Sequence, residues 1–138
     1  MLDRTDQSYS YGPLSVASNA LKLPNGMYLQ YPHLRYGSGE FLYDSGRNGI
    51  TRTHGPRLVE NIVQALARIV ITDQMLAIQN IPGISVVLTV HDEIIALGSD
   101  KNADETLTTI MAIMKQPPAW CTELPLDAEG AYSKIYNK

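Results

Sequence analysis

The stretch Val86-Val87-Leu88-Thr89-Val90-His91-Asp92-Glu93-Ile94-Ile95-Ala96-Leu97 constrains the fold of this chain more than any other. Two apolar runs rich in β-branched residues flank three ionisable side chains. Each run is short enough for a strand, so the segment reads as a buried hairpin with His-Asp-Glu at its tip. Two carboxylates and an imidazole between apolar strands make sense where a metal carrying a phosphate ligand is delivered to the tip. Adjacent strand residues point to opposite faces, and although a turn relaxes that alternation, one carboxylate should lead. Asp92 has the shorter side chain and is the better candidate for a fixed Mg²⁺ ligand. Mg²⁺ typically takes one or two protein carboxylates and draws its other ligands from phosphates and water. The plain alternative is a polar β-turn, where Asp is common for backbone reasons alone.

At 138 residues the chain fits one domain with a real core. Apolar content of 44% and charged content of 18% argue against wholesale disorder. A net charge of −3 and a pI near 5.5 do not suggest a free-standing nucleic-acid binder, though they allow a carboxylate-bearing part of a larger, more basic protein. The single Cys121 excludes an intrachain disulfide framework and fits a reducing compartment. No unbroken apolar run reaches the 18 or so residues of a membrane span, and the start lacks a signal-peptide pattern. A soluble protein of the cytoplasm, with no membrane partner, is the expectation.

Residues 1–22 read as a loose N-terminal segment, with a short helix conceivable from Leu14 to Leu21. Residues 23–54 read as β-rich. Asn25-Gly26 signals a tight turn before the alternating Met27, Leu29 and Tyr31, and Glu40–Asp44 should meet Ile50–Thr53 as a second hairpin. The clearest helix runs from about Pro56 to Asn80, with proline in its first turn and Ile81-Pro82-Gly83 as its stop. Leu58, Ile62, Leu66, Ile69 and Val70 recur at helical spacing and predict its core face. A second helix should start at Asn102, with Asp104 and Glu105 in its first turn, and end at Pro117-Pro118. Leu124–Glu129 reads as an edge strand. The pattern is α+β, helices on an antiparallel sheet.

On the long helix, Arg57, Asn61, Gln64 and Arg68 fall at intervals of four, three and four and form a polar stripe. A solvated face is the plain reading. The functional one is contact with phosphates and with the minor-groove acceptors common to all base pairs, which recognises geometry without reading sequence. His33 and His54 lie in loop-like sequence without ligand spacing, and neither HExxH nor CxxC occurs, so zinc is not expected. Walker A, GxGxxG and serine or cysteine nucleophile motifs are absent too.

Glu60-Asn61-Ile62-Val63-Gln64-Ala65-Leu66-Ala67-Arg68, followed by Leu88-Thr89-Val90-His91-Asp92-Glu93, resembles the C-terminal palm of family A DNA polymerases of the bacteriophage type. The second segment resembles the family's motif C, whose core is Val-His-Asp-Glu. Pro117-Ala119-Trp120 and Leu124-Pro125-Leu126-Asp127-Ala128-Glu129-Gly130 resemble the closing segment of the phage members. The resemblance covers Leu21 to Lys138. It implies that Asp92 binds catalytic Mg²⁺ with Glu93 in support and that His91 contacts the primer end. By the same resemblance Gln64, with Arg57, Asn61 and Arg68 on its stripe, touches template-primer DNA. One departure is Ile69, where many phage relatives carry an acidic residue.

The resemblance also implies a motif A aspartate and a lysine-bearing fingers helix, motif B, to hold the incoming dNTP, and neither pattern occurs here. Two-metal catalysis needs ligands from both carboxylate motifs. The expectation is therefore an incomplete palm over residues 55–138, inactive alone and completed by an upstream polymerase polypeptide carrying motifs A and B. A split gene, a truncated frame or a fragment would each give such a chain. Two other readings stay open: a non-catalytic interaction subunit or polymerase relic, and an unrelated metal-dependent phosphatase or nuclease using Asp92 and Glu93.

Overall fold

The computed structural model describes residues 9–37 and 39–135. It is a mixed α+β structure of antiparallel sheets and two α-helices, and the chain divides into two compact units, Met1–Ala67 and Arg68–Lys138.

The first unit opens with a four-stranded antiparallel sheet: β1 (Ser10–Tyr11), β2 (Leu14–Ala17), β3 (Ala20–Lys22) and β4 (Tyr28–Gln30), in that order. The short helix expected over Leu14–Leu21 does not form. Those residues lie in β2 and β3, with Val16 opposite Leu21 and Ala17 opposite Ala20. Asn19 reverses the chain at a φ of 53°, a left-handed conformation that asparagine tolerates and a helix interior forbids. Three short strands and the turns between them thus occupy residues 10–22; residues 1–8 lie outside the described residues.

The Asn25-Gly26 turn forms as a three-residue loop. Gly26 donates to the Leu23 carbonyl, Leu23 donates to that of Met27, and Gly26 sits at φ 85°, the left-handed position that closes such loops. The expected hairpin of Glu40–Asp44 with Ile50–Thr53 forms over the same residues as β6 and β7, with Arg35–Gly37 (β5) added on the outer edge of β6. Leu23, Tyr31 and Thr53 form the buried centre of this unit. The Tyr31 ring meets Tyr43 edge-on at 5.2 Å, and its hydroxyl accepts a hydrogen bond from Asn61 Nδ2 at 3.2 Å.

On the surface, His33 Nδ1 lies 2.6 Å from Asp44 Oδ2, and Arg35 stands 3.6 Å from the other carboxylate oxygen. The His33 hydrogen bond, helped by the charges of His33 and Arg35, holds the Asp44 carboxyl below its ordinary 3.8. A depressed carboxyl favours the folded state above its unfolded pKa, and that contribution is lost as pH falls through the folded value. His33→Ala is therefore expected to move Asp44 back up toward 3.8 in an NMR titration; an unmoved Asp44 would mean that the pair does not form in solution.

The long helix α1 (Gly55–Gln79) forms within one residue of expectation at each end, with Pro56 in its first turn. Its buried positions are Ile69, Ile71, Gln74 and Ile78, whereas Leu58, Ile62, Leu66 and Val70 remain half-buried. Of the predicted face Ile69 is buried, and the remaining burial continues beyond it into the second half of the helix. By length and composition α1 could cross a membrane, with a mean hydropathy of 1.2 and 22% of that stretch buried inside the structure. No unbroken apolar run accounts for this: Arg68 and Asp73 interrupt the helix, and its second half packs within the protein.

In the second unit, α1 ends in a turn in which Ile84 donates to the Ile81 carbonyl. Pro82 precedes Gly83 at φ 80°, the positive angle a type II turn requires at its third residue. Strand β8 (Ser85–Val90) follows and pairs with β9 (Glu93–Leu97). Helix α2 (Ala103–Met114) starts after Asn102 as expected, although the Asn102 side chain makes no capping hydrogen bond. Gln74 Nε2, from buried α1, donates to the Met114 carbonyl at 2.7 Å and so satisfies one of the acceptors left open at the end of α2.

The edge strand expected at Leu124–Glu129 is absent among the described residues. The tail instead runs back along α2. Asp127 pairs with Lys115 at 2.8 Å, Gly130 abuts Leu107 and Met111, and the Tyr132 hydroxyl donates to Asp104 at 3.0 Å. Asp127 also accepts from the Ala128 amide, a local hydrogen bond that competes with a strand ladder. The Lys115 ammonium and the Ala128 amide together hold the Asp127 carboxyl below its ordinary value.

Candidate functional site

The chemistry-bearing tip is built by β8 and β9. Val90 pairs with Glu93, leaving His91 and Asp92 as a two-residue turn. His91 takes φ 55°; in two-residue hairpin turns a positive angle at the first position matches the right-handed twist of the strands. Glycine usually occupies that position, so a histidine there is a conformation the flanking pairs must impose. Asp92 is exposed at the turn, and Glu93 is half-buried as the first residue of β9.

The strands themselves correct the expectation of a buried hairpin. No residue of β8 or β9 is buried, and Val87 and Leu88 are 52% and 51% exposed. The sheet has only these two strands, so nothing in it covers either face. The pairing slips between Val86 and Leu88, so Val87 is an extra residue opposite no partner. Its neighbour Val86 donates its amide to Gln79 Oε1 at 2.9 Å.

Gln79 escaped the sequence reading because it is the last residue of a helix and carries no motif. A glutamine seven residues before a β-rich run is the only signal, and it is a faint one. Structurally it ties the end of α1 to the bulge that sets the register between β8 and the turn. A slip of one residue would move every side chain of β8 to the other face. Gln79→Ala is expected to expose the Val86 amide, costing about 1 kcal/mol and speeding its hydrogen exchange several-fold. Gln79→Glu, which keeps the acceptor, should restore slow exchange; an unchanged rate in Gln79→Ala would remove the role.

His91, Asp92 and Glu93 have no side-chain hydrogen bond or ion pair among the described residues, so all three keep their full bonding capacity. Two adjacent carboxylates match the protein's usual share of a Mg²⁺ coordination sphere. No group of three His, Cys, Asp or Glu side chains is arranged to hold a metal among the described residues. The turn can therefore share a cation whose other ligands come from elsewhere, but it does not form a closed metal cage.

The predicted helix-face residues fall in both units. Arg57, Asn61 and Gln64 belong to the first, and Arg68 opens the second. Asn61 is committed to Tyr31, and Gln64 Nε2 donates to Glu60 Oε1 at 3.2 Å along the helix. Arg57 and Arg68 are exposed, with no ion-pair partner among the described residues. Two guanidinium groups thus stay without a partner among the described residues, whereas Gln64 is tied to Glu60 and Asn61 serves the packing of the first unit.

The described residues thus include an exposed acidic hairpin turn in the second unit and exposed guanidinium groups on α1. The chain is 37% identical over 128 residues to the DNA polymerase of Bacillus phage SP02, an alignment that covers 86% of this chain. It is thus related to a phage DNA polymerase, and it spans 19% of that relative's length. No protein-family model matches the chain, and no solved structure matches it.

Proposed function

We propose that this chain is the C-terminal palm portion of a family A-type DNA polymerase. The observation that carries the reading is the coincidence of two independent features. The chain has a phage DNA polymerase as its relative, and its Val-His-Asp-Glu segment folds with Asp92 presented at a two-residue turn. In this reading Asp92 would hold one catalytic Mg²⁺, with Glu93 beside it and His91 at the primer end. The bound metal would lower the barrier to attack of the primer 3′-hydroxyl on the dNTP α-phosphate, with pyrophosphate leaving. The chain's own share is placement: the β8–β9 pairing fixes the carboxylate, and Arg57, Gln64 and Arg68 offer donors to template-primer DNA. Such transfers gain most of their rate from positioning and charge stabilisation.

The second metal-binding aspartate and the triphosphate-binding lysine would come from an upstream polymerase polypeptide. The test is reconstitution: this chain is mixed with a polypeptide carrying those two parts, and Mg²⁺-dependent primer extension is measured. Extension that needs both chains supports the reading. A stable complex without extension would favour the interaction-subunit reading, which the exposed Val87 and Leu88 support.

A further inference from the structure

A groove of about 290 Å³ lies in the second unit, between the second half of α1, the end of α2 and the turn that follows it. Val70 and Ala77 of α1, Ile113 of α2, and Pro117, Pro118 and Trp120 beyond it supply apolar walls. The two prolines have no amide N–H to offer, and the Pro118 carbonyl already accepts from the Cys121 amide at 3.0 Å. Gln74 also lines the groove, but its Nε2 is taken up by the Met114 carbonyl. Two polar side chains remain, Gln116 and Asp73, both exposed.

Asp73 has no ion pair and no side-chain hydrogen bond among the described residues. The chain does not neutralise it with its nearest lysines in sequence order along α2 and the tail: Lys115 is paired with Asp127, and Lys134 with Asp100. A groove with apolar walls and one unneutralised carboxylate selects its occupant by exclusion. The carboxylate repels phosphates, and no cation lines the walls to attract them, so neither DNA nor a dNTP suits the site. The volume falls at the small end of ligand pockets, which run from about 300 to 1,000 Å³, and suits a single large side chain better than a cofactor. What fits is an apolar side chain with a cation beside it, carried on a polypeptide. A desolvated anchor with complementary charge at its margin is how protein interfaces concentrate affinity and choose partners.

We propose that this groove docks a segment of the upstream polymerase polypeptide, with one large apolar side chain seated among Val70, Ile113 and Trp120 and a neighbouring lysine or arginine paired with Asp73. The chain spans 19% of the length of its phage DNA polymerase relative, so a complete enzyme of that kind has ample polypeptide to supply such a segment. The source of the segment rests on the polymerase reading. Its chemistry, apolar beside cationic, rests on the groove alone.

Trp120 is the sole tryptophan of the chain, so the full chain grown with fluorotryptophan carries a single fluorine NMR reporter, and that reporter lines the groove. The test adds the polypeptide that carries the motif A aspartate and the motif B lysine, without DNA or metal, and measures affinity by calorimetry in parallel. The expected result is a shifted Trp120 resonance and an affinity that falls as salt is raised. Asp73→Lys, which sets like charges against each other, should weaken the complex about tenfold or more. Ala77→Leu, at an exposed helix position, should fill the groove and weaken it comparably. Glu123→Lys, an equal change of charge at an exposed residue outside the groove, should stay within about twofold of the unmodified chain. A complex with an unmoved Trp120 resonance, or one that Asp73→Lys weakens no more than Glu123→Lys does, would overturn the inference even if primer extension succeeds. A complex that depends on the groove but extends no primer would keep the inference and defeat the catalytic reading. Absence of any complex would overturn both.

Discussion

Asp92→Asn is expected to abolish primer extension by the reconstituted enzyme while leaving DNA binding nearly unchanged. Asparagine keeps the shape of the side chain and suits a turn as well as aspartate does, so the β8–β9 hairpin should survive. What disappears is the negative charge that would hold Mg²⁺. A metal that stabilises the transferring phosphoryl group contributes several kcal/mol, so extension should fall by roughly 1000-fold or more. Slow exchange of the Val86 amide in the variant would show that the bulge and its Gln79 tie remain in place. Extension within tenfold of the unmodified chain would remove the metal role from Asp92. Loss of DNA binding in parallel with extension would instead make the aspartate a structural residue.

The largest expected effect on stability is that of Ile78→Ala. Ile78 is 0% exposed, the only large side chain among the described residues buried so completely. It sits one turn after Gln74, whose amide ties α1 to the end of α2. Truncation removes apolar burial and leaves a cavity that the helix backbone cannot collapse into, a change that costs about 2–5 kcal/mol. The thermal midpoint should drop by roughly 10 °C or more. Val63→Ala on the same helix is the control, since a side chain that is 59% exposed should shift stability by no more than about 0.5 kcal/mol. Equal effects of the two substitutions would mean that the buried side of α1 lies elsewhere.

Much of the local structure was legible because it is encoded over short distances. Pro56 and Pro82-Gly83 bracket α1, Asn102 precedes α2, and the Gly-rich Ser45–Gly49 segment separates two β-rich runs that pair as read. The Val-His-Asp-Glu turn was legible for the same reason, since two short strands with ionisable residues between them leave few options but a hairpin. Where the reading failed, distant partners decided. Leu14–Leu21 has apolar residues compatible with either period, and the pairing of its two halves with each other, flanked by β1 and β4, resolves it as two strands. Leu124–Glu129 has a strand-like pattern, but Asp127 is taken by Lys115 at the end of α2, and Gly130 and Tyr132 just beyond lie against Leu107 and Asp104 of that helix.

The candidate site divides along the same line. Composition and pattern settled which residues carry charge at the tip of β8–β9 and which helix bears Arg57, Gln64 and Arg68. The tertiary structure alone decided that Asn61 is spent on Tyr31, that Gln79 holds the bulge below the turn, and that the hairpin faces stay open. The physical reason is that turn and helix preferences act within a few residues, whereas side-chain partners are chosen by register and packing between segments tens of residues apart. No periodicity along a single chain records that choice.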